Sequence, residues 1–325
     1  MYLQRRNRIS RSSAAIRSML AETILTPSDF ILPIFIDEGK DVVHEIASMP
    51  GYYRRSLDKT IEEVKAVWNM GIKSVLLFIK CEDQWKDNTG KESWNPDGLM
   101  QRAIKAIKDA VPGMVVMTDV ALDPYSIYGH DGIVDPEKGT IVNDATVEAL
   151  TRMSLSHAAA GADFIAPSDM MDGRIGAFRH ALETEGYSNV GIMSYTAKYA
   201  SCFYGPFRDA LDSAPGFGDK KTYQMNYANR LEALNELYND EAEGADIVMV
   251  KPAMAYLDII REIKNNTTLP VSAYHVSGEY AMIKAAAEKG WIDEPKAIIE
   301  SLTSIKRAGA DLIATYFAKD AVALL

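Results

Sequence analysis

The chain has 325 residues, 47% hydrophobic and 25% charged, so it can bury a sizeable core and is not of disordered composition. Its net charge of −10 argues against nucleic acid or an anionic membrane as the main partner. Two cysteines, Cys81 and Cys202, are too few for a disulfide framework, and no apolar run approaches the roughly 18 residues that span a bilayer. We therefore expect a cytoplasmic protein in a reducing compartment.

The N-terminal segment, MYLQRRNRISRSSAAIRSMLAET, is basic and rich in serine, with no acidic residue before Glu22. This composition has two interpretations. It is typical of an organelle transit peptide, and it also suits an ordered basic arm that packs on a neighbouring subunit.

Eight short apolar runs follow along the chain, and most are rich in β-branched residues, as strands buried on both faces are. They are DFILPIFI (29–36), IKSVLLFI (72–79), MVVMTDV (114–120), ADFIAPS (162–168), VGIMSY (190–195), ADIVMV (245–250), PVSAYHV (270–276) and ADLIATY (310–316).

Segments with helical spacing of apolar residues lie between these runs. They cover 61–70, 97–110, 145–160, 229–243, 278–290 and 294–309. The triplet Gly-Ala-Asp follows a predicted helix and opens a predicted strand three times, at 161–163, 244–246 and 309–311. The alternation predicts a (β/α)8 barrel. A doubly wound sheet is the alternative, although its G-x-G-x-x-G fingerprint is absent after the first strand.

In an α/β barrel, reactive side chains lie where strands end. Lys251 comes directly after ADIVMV and before Pro252. Partial burial at a barrel mouth lowers the pKa of an amine, and a neutral amine attacks a ketone to form a Schiff base. The other interpretation of this lysine is a structural ion pair. Its placement at the end of a buried run makes the Schiff-base and ion-pair interpretations about equally well supported.

The fifth predicted strand leads to a second lysine, Lys198. Two ammonium groups that face one pocket repel each other, so at least one pKa falls further. The pair indicates two carbonyl substrates, or one substrate held twice. The segment after it (202–225) is rich in glycine, proline and aromatic residues, which is typical of a lid, and its cations suit a substrate carboxylate. A solvated loop is the alternative.

The stretch TDVALDPYSIYGHDG follows the third predicted strand and contains Asp119, Asp123, His130 and Asp131. Clustered carboxylates bind a hard cation such as Mg²⁺ or serve as acid and base. The stretch has no thiolate, which disfavours a structural zinc site.

Six blocks together resemble the porphobilinogen synthase (5-aminolevulinate dehydratase) family, and the resemblance covers essentially the whole chain. They are WNPDGLMQRAI, APSDMMDGRIGAFR, SYTAKYASCFYGPFRDA, GDKKTYQM, MVKPAMAYLD and YHVSGEYAMIK. The resemblance implies a hydro-lyase on a (β/α)8 barrel that condenses two molecules of 5-aminolevulinate, with loss of two waters, to the pyrrole porphobilinogen of tetrapyrrole synthesis. It implies that Lys251 binds the first substrate and Lys198 the second. Asp119 is the first candidate for proton transfer.

The resemblance also assigns the groups that hold the two substrate carboxylates. Ser277 and Tyr316 match the hydroxyls that hold the first, and Arg208, Lys220 and Gln224 match the groups that hold the second.

Metal use is implied by the same resemblance. Zinc-dependent members carry three cysteines where this chain has Ala121, Asp123 and Asp131, so the chain matches the aspartate-rich, non-zinc branch and no active-site zinc is expected. Asp123 and Asp131 are possible ligands of another ion. Glu236 matches an allosteric Mg²⁺ ligand outside the active site, with an exposed helix glutamate as the alternative.

The family further implies a single barrel domain over 1–325, an N-terminal arm over 1–25 packed on a neighbouring subunit, and a homo-octamer. Two other functions remain as alternatives. A class I aldolase for sugar phosphates would leave the second lysine unexplained, and a non-catalytic barrel predicts loss of a lysine or of carboxylate-binding groups, all of which are present.

Overall fold

The computed structural model describes residues 3–213 and 215–325. In this part of the chain, eight parallel strands form the wall of a barrel. In chain order these barrel strands are Phe30–Ile36, Ser74–Ile79, Val115–Val120, Phe164–Pro167, Gly191–Lys198, Ile247–Lys251, Val271–His275 and Leu312–Thr315.

The helices lie between the strands and at both ends of the chain. They are α1 (Ala14–Met19), α2 (Leu57–Asn69), α3 (Leu99–Ala110), α4 (Asn143–Ala160), α5 (Arg174–Thr184), α6 (Gly205–Leu211), α7 (Glu232–Glu243), α8 (Leu257–Asn266), α9 (Ser277–Glu288), α10 (Glu294–Ala308) and α11 (Ala318–Leu324). No helix in the described residues is long and apolar enough to cross a membrane.

The barrel is closed, because the first strand pairs with the eighth as well as with the second. Phe30 lies opposite Ile313, and Ile31 opposite Ala314. An open doubly wound sheet has free edges and lacks this pairing. The predicted (β/α)8 fold is confirmed. Its buried strands alternate with helices whose apolar faces cover them, and these two layers form one continuous core.

The three Gly-Ala-Asp triplets close the end of the barrel opposite the strand carboxyl ends. Gly161, Gly244 and Gly309 follow α4, α7 and α10 with φ of +102°, +101° and +127°, a conformation that glycine adopts without strain. The aspartate of each triplet accepts a backbone N–H at or near the start of a neighbouring strand. The same carboxylate also pairs with a lysine or arginine side chain. The pairs are Val116 and Lys108 for Asp163, Ile192 and Arg179 for Asp246, and Val271 and Lys264 for Asp311.

Several elements escape the periodicity of the sequence. The fifth strand runs three residues beyond its predicted end to include Lys198, and the sixth includes Lys251. The segment predicted as one long loop (202–225) begins with a 3-10 turn and α6. α5 was not predicted because its apolar residues are scattered among arginines and glycine. Two short antiparallel pairs, Val43–Glu45 with Tyr53–Arg55 and Val134–Asp135 with Thr140–Ile141, are inserted between barrel elements.

One irregularity sets the register of the fifth and sixth strands. Val248 lies opposite Ser194, but Val250 lies opposite Ala197, so the fifth strand carries one extra residue between these pairs. Such a bulge turns the following side chains to the other face of the strand. As a result Lys251 lies directly opposite Lys198.

The first residues stand apart from the barrel. Almost all side chains from 3 to 22 are exposed, and neither the 3-10 turn Asn7–Arg11 nor α1 has a buried residue. Ser13 begins α1 by accepting the Ile16 N–H at 3.2 Å. The arm is thus ordered locally but has little contact with its own barrel.

Candidate active site

Lys198 and Lys251 are the last residues of neighbouring strands, at the carboxyl end of the barrel. Their side chains are 6% and 5% exposed, and both line one cavity. The sequence predicts that both lysines face one pocket, and the structure brings them together through the register described above.

Lys251 sits in an aromatic cage rather than in an ion pair. Its Nζ lies 4.5–5.2 Å from the centres of four rings, those of Tyr195, Tyr204, Phe207 and Tyr274. Within the described residues no carboxylate forms a salt bridge with it. Burial, followed by the charge of Lys198, lowers the pKa of Lys251 to about 7. A large fraction of this amine is therefore neutral near pH 7.

Lys198 has a different environment. Its Nζ donates to Asp131 Oδ2 at 3.1 Å and to the backbone carbonyl of Ser168. Asp131 also accepts from Lys220 Nζ at 2.5 Å, and Lys220 lies 3.4 Å from Asp123. Burial opposes the charge on Asp131, but the two ammonium groups outweigh it and hold the pKa of Asp131 below its usual range.

Asp119 lies one residue before the last residue of the third strand and lines the same cavity. Burial, followed by the neighbouring charge of Asp123, raises the pKa of Asp119 to about 7. Its Oδ1 is buried without a hydrogen-bond partner among the described residues. A carboxyl group with a free oxygen and a pKa near neutrality is suited to move protons.

The lid closes the cavity over these groups. Arg208 from α6, and Lys220 and Gln224 from the segment after it, all line the cavity. Their role in holding a substrate carboxylate stays a prediction. The cavity volume is about 20 Å³, room for about one water. A ligand larger than a water molecule therefore requires the lid to move.

The lid is held closed by His130, which is 2% exposed. Its Nε2 lies 3.1 Å from the Phe217 carbonyl oxygen and its Nδ1 3.1 Å from the Tyr223 hydroxyl. Because a carbonyl only accepts, the proton belongs on Nε2, and Nδ1 accepts from Tyr223. The Tyr223 oxygen in turn accepts the Asp131 N–H at 3.3 Å.

Ser277 and Tyr316 do not line this cavity but lie beyond the aromatic cage. The Tyr316 hydroxyl lies 3.0 Å from that of Tyr274, and Ser277 Oγ accepts the Phe207 N–H at 3.0 Å. Each thus contacts a residue of the aromatic cage around Lys251.

Glu236 lies in a second cavity of about 440 Å³, which shares Gln224 with the first. Asp172 and Glu232 also line it. Burial raises the pKa of Glu236 to about 7, and nearby carboxylates add to this effect while Arg174 opposes it. The glutamate is thus half-buried among acids rather than simply exposed.

Across residues 3–213 and 215–325, no three His, Cys, Asp or Glu side chains are grouped so that they could hold a metal ion. At Asp131 the ammonium groups of Lys198 and Lys220 already bind both oxygens. A cation at Asp123 and Asp131 would have to displace them, and this site stays a prediction.

Sequence reasoning missed the cage itself. Tyr204 and Phe207 follow Lys198 closely, whereas Tyr195 and Tyr274 point into the barrel from strands. Their signal was the density of aromatic residues around the two lysines. The carbonyl of Ser168 could not be predicted, because any residue supplies one.

Comparison with known proteins settles the family. The family model described as delta-aminolevulinic acid dehydratase matches residues 4–324. The chain belongs to the delta-aminolevulinic acid dehydratase family. The family resemblance read from the sequence is confirmed.

Three similar members illustrate the match. The chloroplastic delta-aminolevulinic acid dehydratase of Physcomitrium patens is 58% identical, over 96% of this chain and 72% of that protein. The delta-aminolevulinic acid dehydratase of Synechococcus elongatus is 52% identical, over 99% and 98%. The crystal structure of the Toxoplasma gondii delta-aminolevulinic acid dehydratase (porphobilinogen synthase), in complex with the reaction product porphobilinogen, has a TM-score of 0.98 and 49% identity, covering 99% of this chain and 92% of that one.

The prediction of a cytoplasmic location is wrong by this comparison. Family members from Physcomitrium patens, Selaginella martensii and Glycine max are named chloroplastic, not cytoplasmic. The physical reason for the error is that free cysteines indicate a reducing compartment without distinguishing one such compartment from another.

Proposed function

We propose that this chain is a hydro-lyase that condenses two molecules of 5-aminolevulinate to porphobilinogen, with loss of two waters, in tetrapyrrole biosynthesis. The relative of known structure was solved with porphobilinogen as its reaction product, which supports the assignment. The observation that carries it is the pairing of Lys198 with Lys251 on neighbouring strands inside one cavity. Two buried amines side by side match a reaction that joins two ketones.

The first Schiff base forms on Lys251 in this proposal. Its pKa of about 7 supplies a neutral amine, and burial in the aromatic cage excludes water that would hydrolyse the adduct. The amine attacks the ketone carbon of the first substrate, and the carbonyl oxygen leaves as water. A proton from the neutral form of Asp119, which lines the same cavity, then makes this imine a cation, and the aromatic faces of the cage favour a cation.

The second Schiff base forms on Lys198. Its ammonium must first lose a proton, and Asp119 in the same cavity has the pKa to accept it. A second water leaves as this imine forms. The two imines then lie on paired positions of adjacent strands, and that proximity lowers the barrier to forming bonds between the substrates.

Two carboxylates must also be held, one on each substrate. Arg208, Lys220 and Gln224 lie on the lid side, where they suit the second substrate. Ser277 and Tyr316 lie beyond Lys251, where their hydroxyls suit the first. Because the two sets consist of different groups, cations and an amide in one and hydroxyls in the other, they would orient the two substrates asymmetrically.

We assign an allosteric Mg²⁺ to the second cavity, at Glu236. The residues fit such an ion, because burial among Asp172 and Glu232 makes the ionised glutamate unfavourable unless a cation is near. Since no cluster of three ligating side chains is found in the described residues, the ion would keep much of its hydration, as Mg²⁺ does. When bound, it would supply positive charge near Gln224 and take no part in the chemistry.

We also propose that the chain is a single barrel domain, residues 1–325, whose arm (1–25) packs on a neighbouring subunit of a homo-octamer. Support comes from the apolar side chains that the arm exposes. Ile9, Met19, Leu20 and Ile24 are 50–75% exposed, and such a surface is stabilised by covering it.

Borohydride trapping with 5-aminolevulinate tests the function, with peptide mass spectrometry to locate the reduced adduct. We expect an adduct on the peptide of Lys251 and a second on that of Lys198. Lys251→Ala should lose the first adduct and abolish turnover. Absence of adducts from folded wild-type protein, or near-normal turnover of Lys251→Ala, would refute the Schiff-base mechanism.

A further inference from the structure

The turn that follows Lys251 depends on a side chain from a different element. Pro252 has no N–H, and the next residues open a short 3-10 helix, Met254–Tyr256, whose first N–H groups have no carbonyl within that helix to bond. Glu279, in the first turn of α9, supplies an acceptor. Its Oε1 accepts the Met254 N–H at 2.7 Å, and the N–H groups of Ala253 and Ala255 also point to its carboxylate.

The other oxygen of the same carboxylate holds the start of α9. Glu279 Oε2 accepts the Val276 N–H at 2.8 Å, and Val276 directly precedes Ser277. One side chain therefore ties the turn after the sixth strand to the turn after the seventh. These two turns carry Lys251 and Ser277, which contact opposite ends of the first substrate in the proposed function.

The peptide group that Lys251 shares with Pro252 is already fixed. The Lys251 carbonyl accepts the Tyr199 N–H at 2.9 Å and the Tyr204 hydroxyl at 3.2 Å, both from the segment around the fifth strand. Beyond that carbonyl, Glu279 holds the turn by accepting the Met254 N–H. The carboxylate is thus the second of two supports that hold the lysine in place.

Burying the Glu279 carboxylate to make this connection is energetically unfavourable. It is 0% exposed, and within the described residues no Lys, Arg or His forms a salt bridge with it. Burial raises the pKa of Glu279 to about 7, and only backbone N–H groups favour its charged form. An unpaired buried carboxylate is a poor source of stability, so a need for precise geometry explains it better.

On these contacts, and resting on the proposed function, we infer that Glu279 is a positioning residue for the first substrate. It acts through Lys251 and Ser277 and holds them at the separation that the substrate spans between its ketone and its carboxylate. It has no direct role at Lys198, which is held by Asp131 and the Ser168 carbonyl instead.

Glu279→Gln tests the inference, because the amide keeps the shape but has one acceptor oxygen and can support one turn only. The readouts are the rate of borohydride trapping by 5-aminolevulinate at Lys251 and at Lys198, in the same sample. We expect the Lys251 rate to fall by roughly tenfold to a hundredfold relative to the Lys198 rate. Glu243→Gln is the matched control, since Glu243 also accepts a backbone N–H from another element, that of Gly176 at 3.0 Å, but far from the lysines.

The outcomes separate the inference from the function on which it rests. If wild-type protein gives no adduct at Lys251, the proposed function fails. If wild type gives both adducts and folded Glu279→Gln keeps their ratio, the positioning role is refuted. Should Glu279→Gln not fold, Glu279→Asp replaces it. Its shorter carboxylate cannot reach both turns, so an unchanged ratio in that variant would also refute the role.

Discussion

At the scale of single residues, the two lysines carry the same amine but differ in the side chains that surround it. Lys198 is bound by the Asp131 carboxylate, which favours the ammonium, whereas Lys251 has only aromatic faces around it. Burial without a carboxylate partner lowers the pKa of Lys251. Lys251 therefore supplies a ready nucleophile near pH 7.

The lowered pKa predicts how trapping at Lys251 depends on pH. Only the neutral amine attacks, and it is lost as pH falls through about 7. The rate should rise about tenfold per pH unit below that value and level off above it, whereas an ordinary lysine would keep gaining rate up to about pH 10. Lys198→Met removes a neighbouring positive charge and should move the midpoint to higher pH. A wild-type rate that still climbs at pH 9 would contradict the assignment.

At the scale of elements, the lid is the part of the site that must move. It covers a cavity too small for substrate and is held by Lys220 on Asp131 and by His130 between Phe217 and Tyr223. These contacts link the lid to the loop after the third strand. Closing the lid therefore also places Asp131, and through it Lys198.

Tyr223→Phe removes the hydroxyl that His130 and the Asp131 N–H share, and keeps the ring. The net contribution of one or two such hydrogen bonds predicts a KM for 5-aminolevulinate about 3- to 10-fold higher. Steady-state kinetics measures this, with Tyr227→Phe as the control because Tyr227 is 70% exposed beside the lid. An unchanged KM, or an equal rise in the control, would show that the Tyr223 hydroxyl does not help to hold the lid closed.

At the scale of the whole molecule, the barrel of each chain forms one active-site cavity. Two further features of the chain face outward. One is the acidic cavity of Glu236, and the other is the N-terminal arm with its exposed apolar side chains. Each lacks a partner within the described residues, and each carries a prediction.

For the acidic cavity, EDTA should lower activity in part, and Mg²⁺ should restore it at least as well as Zn²⁺. Calorimetry should detect Mg²⁺ binding that weakens as pH falls through about 7, because protonation of Glu236 competes with the ion. Glu236→Gln should abolish this binding. Glu241→Gln, on the same helix but bonded to Thr267, should keep it. Rescue by zinc alone would refute the magnesium assignment.

For the arm, deletion of residues 1–22 should reduce the mass of the assembly measured by light scattering after size exclusion. Described residues 3–22 lie outside the barrel core, so the circular dichroism spectrum should keep its shape. An assembly of unchanged subunit number would show that the arm does not hold subunits together.

The sequence by itself determined those features whose patterns are local in the chain. Apolar runs, helical spacing and the Gly-Ala-Asp triplets are local, and they were sufficient for the eight strands and the (β/α)8 barrel. Six sequence blocks, among them those around Lys198 and Lys251, were sufficient for the family. Helix α6 and the hairpin Val43–Glu45 with Tyr53–Arg55 were not predicted, because they are short, and the hairpin joins the barrel by pairing Tyr53–Arg55 with the first strand.

Only the tertiary structure decided how the two lysines meet. The residue count along each strand does not reveal the extra residue between Ser194 and Ala197, and without it Lys251 would lie opposite Ala197. The same holds for the aromatic cage, the ion pairs of Asp131 and the bridge made by Glu279. Each joins residues far apart in the chain, and its effect on a pKa comes from burial and distance, which exist only once the barrel has closed.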